Sequence, residues 1–119
     1  MRIGFDGKRA VQNFTGLGNY SRYIADILCR FYPENEYILY APKKRNNKRL
    51  GMLTEKYPQL HLAYPATSFW RKFSSLWRIS SITRQLENEE VGIFHGLSNE
   101  LPLNIHKSHI KSIVSIHDL

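Results

Sequence analysis

A chain of 119 residues with one cysteine can close no internal disulfide. No apolar run approaches the roughly 20 residues that span a bilayer, and Asp6, Lys8 and Arg9 arrive too early for a signal-peptide core. Acidic residues are scarce, 10 against 17 Lys and Arg, so the net charge is +7, a balance compatible with nucleic acid, an anionic membrane surface or a phosphorylated ligand. Repeats, low-complexity tracts and internal linkers are missing. So are three motifs. A dinucleotide fingerprint needs glycine directly after the first strand and an acid at the end of the second. Here nine residues separate Asp6 from Gly16, Ser21 takes the third glycine position, and the second strand ends in Ala41-Pro42-Lys43. No Gly-Lys-Ser/Thr follows Gly18, so there is no P-loop. No cluster of His, Cys, Asp and Glu has metal-ligand spacing, and no metal is expected.

What remains is enough for one domain with a core. Arg2–Asp6 reads as a strand, Gly7–Thr15 as a polar loop, and Gly16–Tyr32 as a helix capped by Thr15 and stopped by Pro33. Leu17, Tyr20, Ile24, Ile27, Leu28 and Phe31 mark its buried stripe. Glu36–Ala41, Leu60–Tyr64, Val91–His95 and Lys111–Ile116 read as further strands, with a short helix over Leu50–Tyr57. Phe69–Glu89 reads as a long helix with Phe69, Phe73, Leu76, Ile79, Ile82 and Leu86 inward. Gly96–His109 is irregular. Alternation of strands and helices predicts an α/β fold, a Rossmann-like doubly wound parallel sheet of order 3-2-1-4-5. The chain stops just past its fifth strand with no covering helix, which reads as a fragment of a longer protein. Cys29, within the first helix, reads as a buried inert thiol and points to a reducing, cytoplasmic setting.

Two features carry chemistry. Gly16 and Gly18 open a helix, where bare backbone N–H groups and the helix dipole can hold a phosphate, or where glycine merely serves a tight turn. His95 and His117 close strands four and five, so both fall at the carboxyl edge where open α/β sheets bind ligands. Each can equally be a hydrogen-bonded structural histidine. Asp118 would cap the next element or orient His117. His61, His106 and His109 read as surface positions. The basic run Lys43-Lys-Arg-Asn-Asn-Lys-Arg49 reads as a solvated loop or an anionic-membrane contact. It lacks the interleaved aromatics of a nucleic-acid module. The long helix carries Trp70, Arg71, Lys72, Trp77, Arg78 and Arg84, suited either to a membrane interface or to a core helix with a basic outer face.

Asp6-Gly-Lys-Arg9, Thr15-Gly-Leu-Gly-Asn-Tyr20, Phe94-His-Gly-Leu-Ser-Asn-Glu-Leu-Pro102 and Val114-Ser-Ile-His-Asp-Leu119 stand in an order that resembles the N-terminal half of the group 1 (family 4) glycosyltransferases. That resemblance covers essentially the whole chain. It implies a GT-B fold, retaining transfer of a hexosyl group, possibly mannosyl, from a GDP- or UDP-sugar, and a saccharide or lipid-linked acceptor. It gives His117 contact with the transferred sugar near the reacting carbon. It places Gly16, Gly18 and Asp118 by the donor phosphate or sugar, and Arg9, His95 and Asn99 on the acceptor side. It implies a cytoplasmic protein, with peripheral contact at an anionic membrane. No metal or cofactor beyond the substrate nucleotide sugar is implied. The family pattern has arginine where this chain has Asn19, and the family's nucleotide-binding C-terminal domain is not in these residues, so they alone would be inactive. The alternative is a non-catalytic Rossmann-like module for a phosphorylated ligand or protein partner. A receiver- or flavodoxin-like domain would need more acids at its strand ends than Asp6 and Asp118.

Overall fold

The computed structural model describes residues 1–12, 16–44, 46–65, 73, 77–97 and 100–117. Five parallel strands form one sheet: β1 (Arg2–Asp6), β2 (Glu36–Tyr40), β3 (Leu60–Ala63), β4 (Ile93–Gly96) and β5 (Lys111–Val114). Their order is β3-β2-β1-β4-β5, as the alternation of elements predicts. Asp6 lies opposite Tyr40 and Tyr40 opposite Ala63, while Phe5 faces His95 and Gly96 faces Val114. The register therefore brings Asp6, His95 and the residues after β5 to a common carboxyl edge.

Both faces of the central strands are covered, which explains why β2 is apolar without a break from Tyr37 to Tyr40. On one face Phe5, Tyr37, Leu39 and Ala41 pack with Ala10, Val11, Ala25, Cys29 and Leu50 from three helices, α1 (Lys8–Gln12), α2 (Gly16–Phe31) and α3 (Lys48–Lys56). On the other, Ile38, Tyr40 and Phe94 pack with Trp77, Ile82, Leu86, Ile105 and Ile110. These come from a π-helical turn (Trp77–Ser81), α4 (Ile82–Asn88) and the connection before β5, which holds a 3₁₀ turn at Ile105–Lys107.

The structure corrects four sequence expectations. Gly7–Thr15 is not a loop throughout, because Lys8–Gln12 is helical. Two carbonyls at its end, of Ala10 and Val11, accept from the Asn47 side-chain nitrogen at 3.1 and 3.0 Å, and Asn47 Oδ1 accepts from Leu50 N at 3.1 Å. One buried amide thus ties off α1 and caps α3, which starts at Lys48 rather than Leu50. The buried side of α2 is Gly18, Ser21, Arg22, Ala25 and Cys29. Tyr20, Ile24 and Leu28 only flank that core, and Phe31 is exposed. Small residues let α2 lie close on the sheet, so the larger apolar side chains form its shoulders. Phe73, placed on the inner stripe of the long helix, is 42% exposed, whereas Trp77 is 2% exposed with its indole N–H on Gln85 Oε1 at 3.1 Å. Trp77 therefore belongs to the core and to no membrane-facing surface. Phe69, Trp70, Arg71, Lys72 and Leu76 lie outside the described residues. No helix among the described residues is long and apolar enough to cross a membrane.

Strand β5 is exposed along its length, with Ile113 half exposed and Ile116 beyond it also exposed.

Candidate site at the carboxyl edge

Just past β5, Ser115 continues the ladder onto β4, its N–H donating to Gly96 O at 2.8 Å. Extended chain alternates its side chains, so Ser115 and His117 share a side. That side faces the first turns of α2. The Tyr20 hydroxyl lies 3.1 Å from Ser115 Oγ, and Ser115 Oγ lies 2.7 Å from His95 Nε2. The His117 ring stands edge-on to Tyr20, with centroids 4.8 Å apart and planes at 82°. Its Nε2 donates to the Leu97 carbonyl at 2.7 Å. That bond fixes Nε2 as a protonated nitrogen, so a neutral ring carries its lone pair on Nδ1.

His95 packs tilted against Phe5 at 5.9 Å. Burial lowers its pKa below the ordinary histidine value, so the ring is neutral at pH 7 and its Nε2 serves as donor or acceptor for Ser115. Tyr20, Ser115 and His95 thus form a line of hydrogen-bonding groups from the helix layer to the sheet, with His117 against its outer end. Such a line can orient hydroxyl groups and relay a proton, with the His117 ring held in one tautomer at its end.

Of the sequence candidates, His95 and His117 are brought together here through Tyr20 and Ser115. Gly16 is the first residue of α2 and exposed; a Cβ built on it meets nothing within 4 Å. Gly18 is buried against the core side of the helix. Arg9 lies on α1, and its Nε is buried without a hydrogen-bond partner among the described residues. Asn99, Asp118 and the proposed cap Thr15 lie outside the described residues. The connection after β4 is tight. A Cβ on Gly96 would stand 1.9 Å from the Glu100 carbonyl oxygen, so only glycine allows the chain to fold back at this point.

A second cluster at the same edge has no counterpart in the sequence reading. Arg78 reaches Asp6 Oδ2 at 2.6 Å and Glu100 Oε2 at 2.8 Å with one nitrogen. The Arg78 and Asp6 side chains are nearly buried, while Glu100 is largely exposed. Burial works against the Arg78 charge, but the two carboxylates outweigh it and raise the pKa above its ordinary value. A cavity of about 20 Å³ borders the trio, room for one water, and Arg78 Nε is buried there without a partner among the described residues. Arg78 therefore locks the end of β1 to the β4 connection and does not sit on a basic outer face.

Ser115 was not singled out from the sequence, although its place two residues before His117 in the predicted strand Lys111–Ile116 puts both on one side. Tyr20 was read as part of the apolar stripe, and its polar tip gave no separate signal. Asp6, Arg78 and Glu100 are too far apart in sequence for spacing to join them. No group of three or more His, Cys, Asp or Glu side chains suited to a metal exists among the described residues.

No family model matches the chain, and neither a curated protein nor a solved structure is significantly similar to it.

Proposed function

We propose that this chain is the acceptor-side half of a retaining sugar transferase that draws a hexosyl group from a nucleotide sugar, the nucleotide-binding half lying elsewhere in the protein. The observation that carries the reading is the meeting of His117, Tyr20 and the Ser115–His95 pair at the carboxyl edge, beside the glycine-started end of α2. In this reading His117 holds a hydroxyl of the transferred sugar next to the reacting carbon. The leaving diphosphate gains charge as the glycosidic bond breaks, and the open backbone at Gly16 supplies N–H groups and the positive end of a 16-residue helix to meet it. Arg9, Asn99 and the Tyr20–Ser115–His95 line belong to the acceptor side, and Asp118 to the donor side.

The test uses the full-length protein with a panel of UDP- and GDP-hexoses and varied saccharide and lipid-linked acceptors, read as release of nucleoside diphosphate. His117→Ala should lower turnover at least about 100-fold while leaving the melting temperature within a few degrees. Gly16→Ala is the sharper variant, because the fold has space for the methyl group. It should keep its stability and lose donor binding, since the methyl would stand where a diphosphate must approach. Absence of release with every donor, or wild-type release by both variants, would sink the reading. Micromolar binding of UDP or GDP by the 119 residues alone would favour a stand-alone binding module instead.

A further inference from the structure

The positive charge of the chain is concentrated in one stretch. Between Glu36 and Glu87, Glu55 is the single acidic residue, against ten Lys and Arg. In the rest of the chain nine acids outweigh seven basic residues. The basic stretch builds β2, α3, β3 and the approach to α4. Some of its cations are engaged, as Arg78 is by Asp6 and Glu100. Lys43 and Lys44 are exposed just past β2 and have neither an ion-pair nor a hydrogen-bond partner among the described residues.

Strands β2 and β3 end alike. Each runs into a proline, Ala41-Pro42 and Tyr64-Pro65, and both prolines are buried. Proline fixes φ and brings no N–H to a ladder, so the two strands stop at one level. Tyr40 lies opposite Ala63, and Ala41 N donates to the Ala63 carbonyl at 2.9 Å. At these ends lies a cavity of about 370 Å³, lined among the described residues by Pro42, Lys43, Lys44 and Tyr64. It is on the edge where open parallel sheets bind ligands, but over β2 and β3, away from His95 and His117. Tyr64 packs against the core on the α1–α3 face, which fixes its ring. Its hydroxyl has no partner among the described residues. Burial keeps the Tyr64 pKa above the ordinary tyrosine value, so at pH 7 that hydroxyl is a donor.

We propose that this cavity binds a small soluble phosphate monoester whose organic part is a single ring. A monoester carries nearly two negative charges at pH 7, and two ammonium groups match them. Each lysine is a flexible point charge with three donors, so the pair can close on a phosphate without a preset fork. Pro42 and the Tyr64 ring form a rigid apolar wall for the ring of the ligand, and the Tyr64 hydroxyl adds a donor. The volume is near the low end of small-molecule sites, about 300–1,000 Å³, which suits one ring and a phosphate and is small for a dinucleotide. No acid lines the cavity among the described residues, and none occurs from Lys56 to Leu86, so nothing near in sequence cancels the field of the lysines. The site uses none of Tyr20, His95, Ser115 and His117, so it stands whether or not the transferase reading holds.

The test is titration of the ¹⁵N-labelled protein with glucose-6-phosphate, phenyl phosphate and glucose, at low and high salt. The expected result is saturable shifts centred on Lys43, Lys44 and Tyr64 with at least one ester, weaker at high salt, and none with glucose. The tighter ester identifies the ring as sugar or aromatic. The double variant Lys43→Gln/Lys44→Gln changes two exposed side chains, so it should keep the melting temperature and weaken binding at least about tenfold. Tyr64→Phe keeps the ring on the core and should weaken binding several-fold through the lost hydroxyl. No shift with either ester, shifts centred elsewhere, equal binding of glucose, or affinity indifferent to the double lysine variant would overturn the proposal. So would capture by phosphatidic acid vesicles or by a single-stranded oligonucleotide without any response to the soluble esters, since the lysines would then serve a macromolecular anion.

Discussion

Two arginine sites at the carboxyl edge of one sheet are electrically opposite. Arg78 meets two carboxylates, and they raise its pKa against the cost of burial. Arg22 meets a neutral amide oxygen shared with a second arginine, and its pKa falls. The first site is complete in charge and fastens β1 to the connection after β4. The second joins α2 to α3 and to the end of α1 through uncharged oxygens, the Asn19 amide and the Ala10 carbonyl. Both guanidinium groups are largely buried, so burial alone does not set the direction in which an arginine's pKa moves. The partners do.

Breaking the first site should have the largest effect. Arg78→Met keeps most of the side-chain volume but leaves the nearly buried Asp6 carboxylate without its cation. The expected loss is about 3–5 kcal/mol, measured by urea unfolding. A loss under about 1 kcal/mol would mean that Asp6 is satisfied by solvent and that the trio is no fastening. Arg22→Met at the second site should cost less, about 1–3 kcal/mol, because the Ala10 carbonyl and the Asn19 amide oxygen each lose one donor but keep another, Asn47 and Arg49, and no charge is orphaned. Equal losses at the two positions would erase the distinction drawn here.

The smallest effect concerns His95, on β4. The folded-state pKa of His95 is lowered, so as pH falls below the ordinary value of about 6.5 the unfolded chain takes up its proton first. Stability is then full above that pH and declines on acidification until the folded-state pKa is reached, with a slope of at most about 1.4 kcal/mol per pH unit. Melting curves between pH 7.5 and 5 should show this decline in the wild type and in Arg78→Met. It should be absent in His95→Gln. A decline that persists in His95→Gln would place its origin elsewhere.

The fold was legible because its signals are local. Ile3 and Phe5, the tyrosine-rich β2 and the Pro33 and Pro42 stops each declare an element within a few residues, and parallel crossovers then leave few strand orders. The carboxyl-edge positions of His95 and His117 followed from those strands. The side chains that join them did not. Tyr20 is both apolar and polar, and a periodicity count registers only the first property. The α2 stripe was rotated because Gly18, Ser21 and Ala25 are inward for their smallness, which hydrophobicity does not score. Arg22 lies three residues from Asn19 and could have been paired with it by helical spacing. Arg49 arrives from another element through the way Asn47 sets α3, and Arg78 through a π-helical turn, so neither was visible before the chain was folded.

Asn47 also divides the basic segment into a part whose length is free and a part whose length is fixed. Ahead of it, residues between Pro42 and Asn46 connect β2 to the pin, and a loop of this kind can lengthen at little entropic cost. Behind it, the three-residue step to Leu50 N sets the cap and so the rotation of α3. One residue inserted there would turn Arg49 about 100° away from Asn19. A scan of single-glycine insertions through residues 43–50 should therefore show a step at Asn47, with near-native melting before it and a sharp loss after it. The chain can gain reach on one side of that amide, and on the other it must keep count.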